Sequence, residues 1–119
     1  MTTPSRPTVF DREHARARLG GLDDVLHDVM ELMVTESPKV HAEIAAAYGR
    51  RDPERLQRAA HMLKGSVSLM GAVDLVHRLK HVEDCATKGE FESAAGEFDE
   101  IDRQFAELQQ LLAAELQVM

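Results

Sequence analysis

Apolar residues recur at steps of three and four in every long segment, and no segment alternates with the period of two that a half-buried strand needs. The pattern predicts helices throughout. A short one covers 11–18 and stops at Gly20-Gly21. Leu22, Val25, Leu26, Val29, Leu32 and Met33 form the apolar stripe of the next, with Asp23 and Asp24 in its first turn, where the helix dipole favours acids. Ser37-Pro38 either caps a new helix or kinks a long one, so 22–50 reads equally as one helix or two. Val40, Ile44, Ala47 and Tyr48 carry the apolar face on to Gly49. Asp52-Pro53 is a clear restart, an N-cap followed by a proline at the first helical position. Leu56, Ala60, Leu63, Val67 and Met70 then point inward until Gly71, which suits a left-handed C-terminal position. Leu75, Leu79, Val82 and Ala86 mark a helix over about 72–88, ended by Lys88-Gly89. The last helix is the most regular, with Ala94, Phe98, Ile101, Phe105, Leu108 and Leu112 on one face.

Short connections between long amphipathic helices imply antiparallel neighbours. The expected fold is all-α: an up-down antiparallel four-helix bundle with an additional short N-terminal helix, one domain over residues 10–117. Residues 1–9, rich in Thr, Pro and Ser, read as a disordered lead. The composition agrees, with 44% apolar residues but only 4% aromatic, so the core must be aliphatic. Cys85 is the one cysteine, which rules out an internal disulfide and a cysteine-based zinc site and leaves it a core or boundary residue. No run reaches the roughly 18 apolar residues of a membrane span, and the N-terminus lacks the apolar centre of a secretory signal. A soluble, cytoplasmic protein is expected, monomeric because such a bundle closes on itself.

Charge sharpens this picture. The net charge of −7 argues against general nucleic-acid binding, which rests on a basic surface. Yet the charge is uneven. Across 50–64, five cations (Arg50, Arg51, Arg55, Arg58, Lys64) face two acids, Asp52 and Glu54. Across 97–115, six acids face Arg103 alone.

That basic segment contains an anomaly. His61, Lys64 and Gly65 interrupt a helix that could have been Ala and Leu, and an interior glycine costs about 1 kcal/mol relative to alanine. With the apolar stripe turned inward, Gln57, Arg58, His61, Lys64, Gly65 and Ser68 fall on a second line of i±3 and i±4 neighbours. His61 therefore faces outward or lies at the bundle edge. Gly65 leaves space beside it, and Lys64 adds a point charge suited to an anion. An exposed imidazole beside a cation is the equipment of a phosphoryl carrier, the neutral ring serving as nucleophile and the lysine stabilising charge on the bound group.

The stretch "HMLKGSVSLMGAVDL" resembles the signature of the histidine-containing phosphotransfer (HPt) family, H-x-L-K-G-[SA]-x-x-x-x-G-[AL]-x-x-L. His61, Leu63, Lys64, Gly65, Ser66, Gly71, Ala72 and Leu75 fall on it. The segments "RLGGLDDVLHDVMELMVTESP" and "GRRDPERLQRAAH" are also similar, so the resemblance covers roughly residues 10–116. It implies a helical bundle whose motif histidine accepts a phosphoryl group from a receiver-domain aspartate and passes it to another receiver. His61 would carry the group on Nε2, Lys64 would help neutralise it, and Gly65 would leave room for the incoming receiver. In several members a polar residue 22 positions later holds Nδ1; here that is Glu83, which would fix the tautomer presenting Nε2. Lys80, one turn earlier, would add a second cation. Leu19, Leu22 and Leu26 are candidates for the docking surface, with core burial the expected role of each. The resemblance further implies no cofactor on this chain, with Mg²⁺ on the partner receiver. The implied partners are response-regulator receiver domains and a hybrid histidine kinase. Met1 and the loose N-terminus favour a stand-alone carrier.

Three rival readings fit less well. A histidine-kinase dimerisation helix usually reads H-E-x-[KR]-T-P, whereas Met62 follows His61 and Gly65-Ser66 replaces Thr-Pro; no nucleotide loop is present. A metal-binding bundle could use His77 and His81, or His14, His27 and His77, each three residues after an Asp. However, the Glu-x-x-His pairs of di-iron bundles are missing, and no metal is expected. A binding-only adaptor would typically have lost the histidine.

Overall fold

The computed structural model describes residues 8–119. Among these residues every regular element is helical: α1 (Arg12–Arg18), α2 (Asp23–Gly49), α3 (Pro53–Leu69), α4 (Val73–Lys88), α5 (Phe91–Ala95) and α6 (Phe98–Val118). The four long helices close a ring, α2 against α3, α3 against α4, α4 against α6, and α6 back against α2. Their shared interior is aliphatic, with Leu26, Met30, Leu56, Leu63, Leu75, Leu79, Ile101, Leu108 and Leu112 all essentially inaccessible to water. At about 25 cal/mol per Å² of apolar surface, this core is the main stabilising contribution. The short helices α1 and α5 pack on the outside of the ring.

Ser37-Pro38 does not divide the second helix. Proline removes the N–H that would meet the Val34 carbonyl, but α2 runs on through it from Asp23 to Gly49. The buried Ser37 hydroxyl donates to the Met33 carbonyl, and Gln109 of α6 donates to Met33 O at 3.3 Å and to Ser37 Oγ at 3.1 Å. These bonds satisfy polar groups at the proline and tie α2 to α6.

The structure corrects three expectations. The stripe of α2 is narrower than its sequence implies: Leu26 and Met33 are buried, but Leu22, Val25 and Leu32 are exposed, Leu32 by 60%. Met30, off the expected stripe, is fully buried instead. The last helix is two. Glu97 N donates to Ala94 O, an i→i−3 bond that tightens the turn at Gly96, a poor helix former, and separates α5 from α6. Finally, the lead expected over 1–9 falls outside the described residues for 1–7, whereas Val9 is buried in the core. Asp11 N donates to Met70 O at 2.8 Å, which docks this segment on the turn between α3 and α4.

That turn depends on Gly71. Its φ of +80° is left-handed backbone, and a Cβ placed there would lie 2.7 Å from Asp11 Cβ. Both constraints call for glycine. The turn sets the antiparallel pairing of α3 and α4, and that pairing builds the site below.

Candidate functional site

Asp52 caps α3 by accepting from Arg55 N at 3.1 Å, with Pro53 in the first turn. From that start Leu56, Ala60, Leu63 and Val67 face the core at zero exposure, which places His61 outside. The imidazole is 62% exposed. On the facing helix, Leu79, Val82 and Ala86 are buried, and this holds Glu83 at the seam between α3 and α4, 7% exposed.

Glu83 is the centre of the site. Its Oε2 lies 2.8 Å from His61 Nδ1 and accepts from Gln57 Nε2 at 3.1 Å. Its Oε1 accepts from Lys64 Nζ at 2.7 Å. Three side chains from successive turns of α3 thus converge on one carboxylate of α4. Burial pushes the Glu83 carboxyl up, but the hydrogen bonds from Lys64 and His61, with the charges behind them, outweigh burial and hold it below the usual range. An ionised carboxylate only accepts, so Nδ1 must carry the ring proton toward it. The lone pair of the neutral ring is then on Nε2. Among the described residues nothing bonds to Nε2.

Gly65 is exposed, and a Cβ there would meet nothing within 4 Å. The glycine therefore does not relieve crowding inside the chain; the open space lies on the outside, one turn along α3 from His61.

The remaining expected residues are elsewhere. Lys80 is bonded to Asp84 at 3.0 Å, an exposed i,i+4 pair on α4, and not to Glu83. Arg58 is exposed and lines a groove between α2 and α3 with Lys39, Val40, Glu43, Arg55 and Met62. Ser68, half-buried two turns beyond His61, lines a small hollow with His14, Val76 and His77. Of the docking candidates, Leu26 is buried, Leu19 is half-buried against the core, and Leu22 is exposed, contrary to its expected core role. Of the residues weighed for a metal, His27 lies with Asp28 and Glu31 on the outer flank of α2. His81 lies near Cys85 and Glu97.

Two features escape the sequence reading. Met62, beside His61, is 54% exposed although apolar; its position off the inward stripe is the signal that marks it. The commitment of Lys80 to Asp84 was available from their i,i+4 spacing.

A family model for the Hpt domain matches residues 28–115. The fold superposes on the crystal structure of histidine-containing phosphotransfer protein B from Pseudomonas aeruginosa PAO1 with a TM-score of 0.85 and 26% sequence identity, covering 96% of this chain and 99% of that one. No curated protein matches by sequence. Family model, fold and the exposed histidine at the α3–α4 seam agree, and the chain belongs to the Hpt domain family, the histidine phosphotransfer proteins of phosphorelays.

Proposed function

We propose that His61 is the residue that carries the phosphoryl group, taking it on Nε2 from an aspartyl phosphate of one receiver domain and giving it to the aspartate of another. The observation that carries this reading is the 2.8 Å contact between Glu83 and Nδ1 of a ring that is otherwise in solvent. It supports a tautomer with the nucleophilic lone pair outward. In the forward step that lone pair attacks phosphorus, and the P–O bond to the receiver's aspartate breaks with the electron pair leaving on the carboxylate.

Lys64 and Gly65 have distinct supporting roles. The Lys64 ammonium sits on the same face, half-buried and anchored by Glu83, so the arriving phosphoryl group meets a fixed positive field. Gly65 leaves the approach to the ring clear. The basic groups of α3, Arg55 and Arg58, would favour encounter with the acidic pocket of a receiver. Exposed apolar side chains on α2 and α3, Leu22, Leu32 and Met62, suit the contact surface.

Mg²⁺ belongs in this reading to the receiver, where it would stabilise charge on the transferring group. The chain is a carrier, not a kinase: its sequence contains no phosphate-binding loop for ATP. No helix among the described residues is long and apolar enough to cross a membrane. A cytoplasmic monomer served by a hybrid histidine kinase completes the proposal. The test is to locate the phosphoryl group by mass spectrometry at alkaline pH after incubation with a phosphorylated receiver. Label on His61, and none after incubation with ATP and Mg²⁺ alone, is expected; label elsewhere, or from ATP alone, contradicts it.

A further inference from the structure

The residue opposite Nδ1 of His61 is a carboxylate, and this has a consequence after transfer as well as before it. When Nε2 attacks phosphorus, the electron pair of the new N–P bond comes from Nε2, and the pair of the broken P–O bond leaves on the receiver's aspartate. No proton has to move. The ring emerges as an Nε2-phosphorylated imidazolium that still carries Nδ1–H. Facing water or a neutral amide, it would lose that proton readily at neutral pH. The P–N bond of the resulting neutral ring breaks with difficulty, because its leaving group would be an imidazolide anion. From the cationic ring the leaving group is neutral imidazole.

We propose that Glu83 keeps Nδ1 of His61 protonated after the phosphoryl group has arrived, so that the phosphohistidine is held in its cationic, readily transferable form. This rests on the reading of His61 as the carrier. The geometry supports it in three ways. Glu83 Oε2 is at hydrogen-bond distance from Nδ1, on the far side of the ring from Nε2, so phosphorylation leaves the contact in place. The carboxylate is 7% exposed, which limits screening of its charge. Its second oxygen is held by Lys64, and Gln57 adds a further bond, so it cannot swing away.

The other charges around the pair moderate the effect without reversing it. On α3, Lys64 draws on Oε1 and tempers the hold on the ring. On α4, Lys80 is neutralised by Asp84. Lys39 and Glu43 of α2 lie with Arg58 and Met62 on the other flank of α3, and Asp11 and His14 of α1 meet α3 at its end, beside Gly71.

The test uses the full chain phosphorylated with phosphoramidate and follows the ring by ³¹P and ¹⁵N NMR across pH. The phosphorylated ring of the folded wild type should lose its Nδ1 proton about one pH unit or more above that of the same phosphoprotein unfolded in urea. In Glu83→Gln, which keeps size and hydrogen-bonding capacity, the transition should fall back toward the unfolded value, with hydrolysis near pH 8 slowed about tenfold. Coincident transitions for folded and unfolded wild type overturn the inference, whether or not the variant folds. So does a Glu83→Gln transition equal to that of the wild type. A His61→Gln control separates the two ideas: it should remove one phosphohistidine resonance of the wild type, and a set of resonances unchanged by the substitution overturns the carrier reading itself.

Discussion

Lys64 Nζ lies 2.7 Å from Glu83 Oε1, while the other oxygen of the same carboxylate lies 2.8 Å from His61 Nδ1. The lysine expected from sequence to face the phosphoryl group is thus bound to the residue that also contacts the histidine. Removing it has a structural cost. Lys64→Met leaves Glu83, 7% exposed, with only His61 and Gln57 as donors. An under-satisfied buried acceptor costs about 1–3 kcal/mol. Urea unfolding should show a loss of that size, and Glu83→Gln should cost less because the charge it leaves unpaired, that of Lys64, is the more exposed of the two.

Gly65 should separate stability from function. A Cβ there meets nothing within 4 Å, and alanine is the better helix former. Gly65→Ala should therefore raise stability by about 0.5–1 kcal/mol, read from the urea midpoint. The same variant should slow transfer from a phosphorylated receiver if, as proposed, the space it fills is where a partner approaches. Slower transfer in a more stable protein would place the glycine's role at the interface.

Gly71 should behave in the opposite way. Its φ of +80° and the 2.7 Å approach to Asp11 Cβ penalise any side chain. Gly71→Ala should lose about 2–3 kcal/mol, and hydrogen exchange should show the Asp11 amide released from Met70 O.

Acid should weaken the fold through two carboxyls in particular. Asp74 is held below its ordinary range chiefly by a hydrogen bond from Gln104, against the effect of burial, with Arg78 adding to the lowering. For Glu83, burial is outweighed by Lys64 and His61. Both values are depressed in the folded state, so the stability they contribute is present above the ordinary carboxylate range. It is lost as pH falls through the lower folded values. The urea midpoint should drop below about pH 4, and Asp74→Asn should make that drop shallower.

Most of the bundle was legible because helical spacing reports burial directly: Leu56, Leu63, Leu75, Leu79 and Leu108 all lie where their periodicity places them. His61, Gly65 and Glu83 were legible because a recognisable motif fixes their separations along two helices. What was not legible depends on which neighbour covers a surface. Leu32 and Met30 exchange their expected roles because α3 and α6 decide which side of α2 is covered. Pro38 was ambiguous because Gln109, whose bonds accompany the continuous helix, lies 71 residues further along the chain. Lys64 and Glu83 lie 19 residues apart on two helices, so only the packed geometry pairs them, whereas the spacing of Lys80 and Asp84 left that pair readable.

A two-step transfer decides whether His61 carries and releases the phosphoryl group. The purified chain is loaded from one phosphorylated receiver, separated from it, and mixed with a second, unphosphorylated receiver, with His61→Gln in parallel. Acid-labile, base-stable label should appear on the wild type and pass to the second receiver, with none on the variant. Label that appears equally on His61→Gln, or that binds the wild type and never moves on, would contradict the carrier reading.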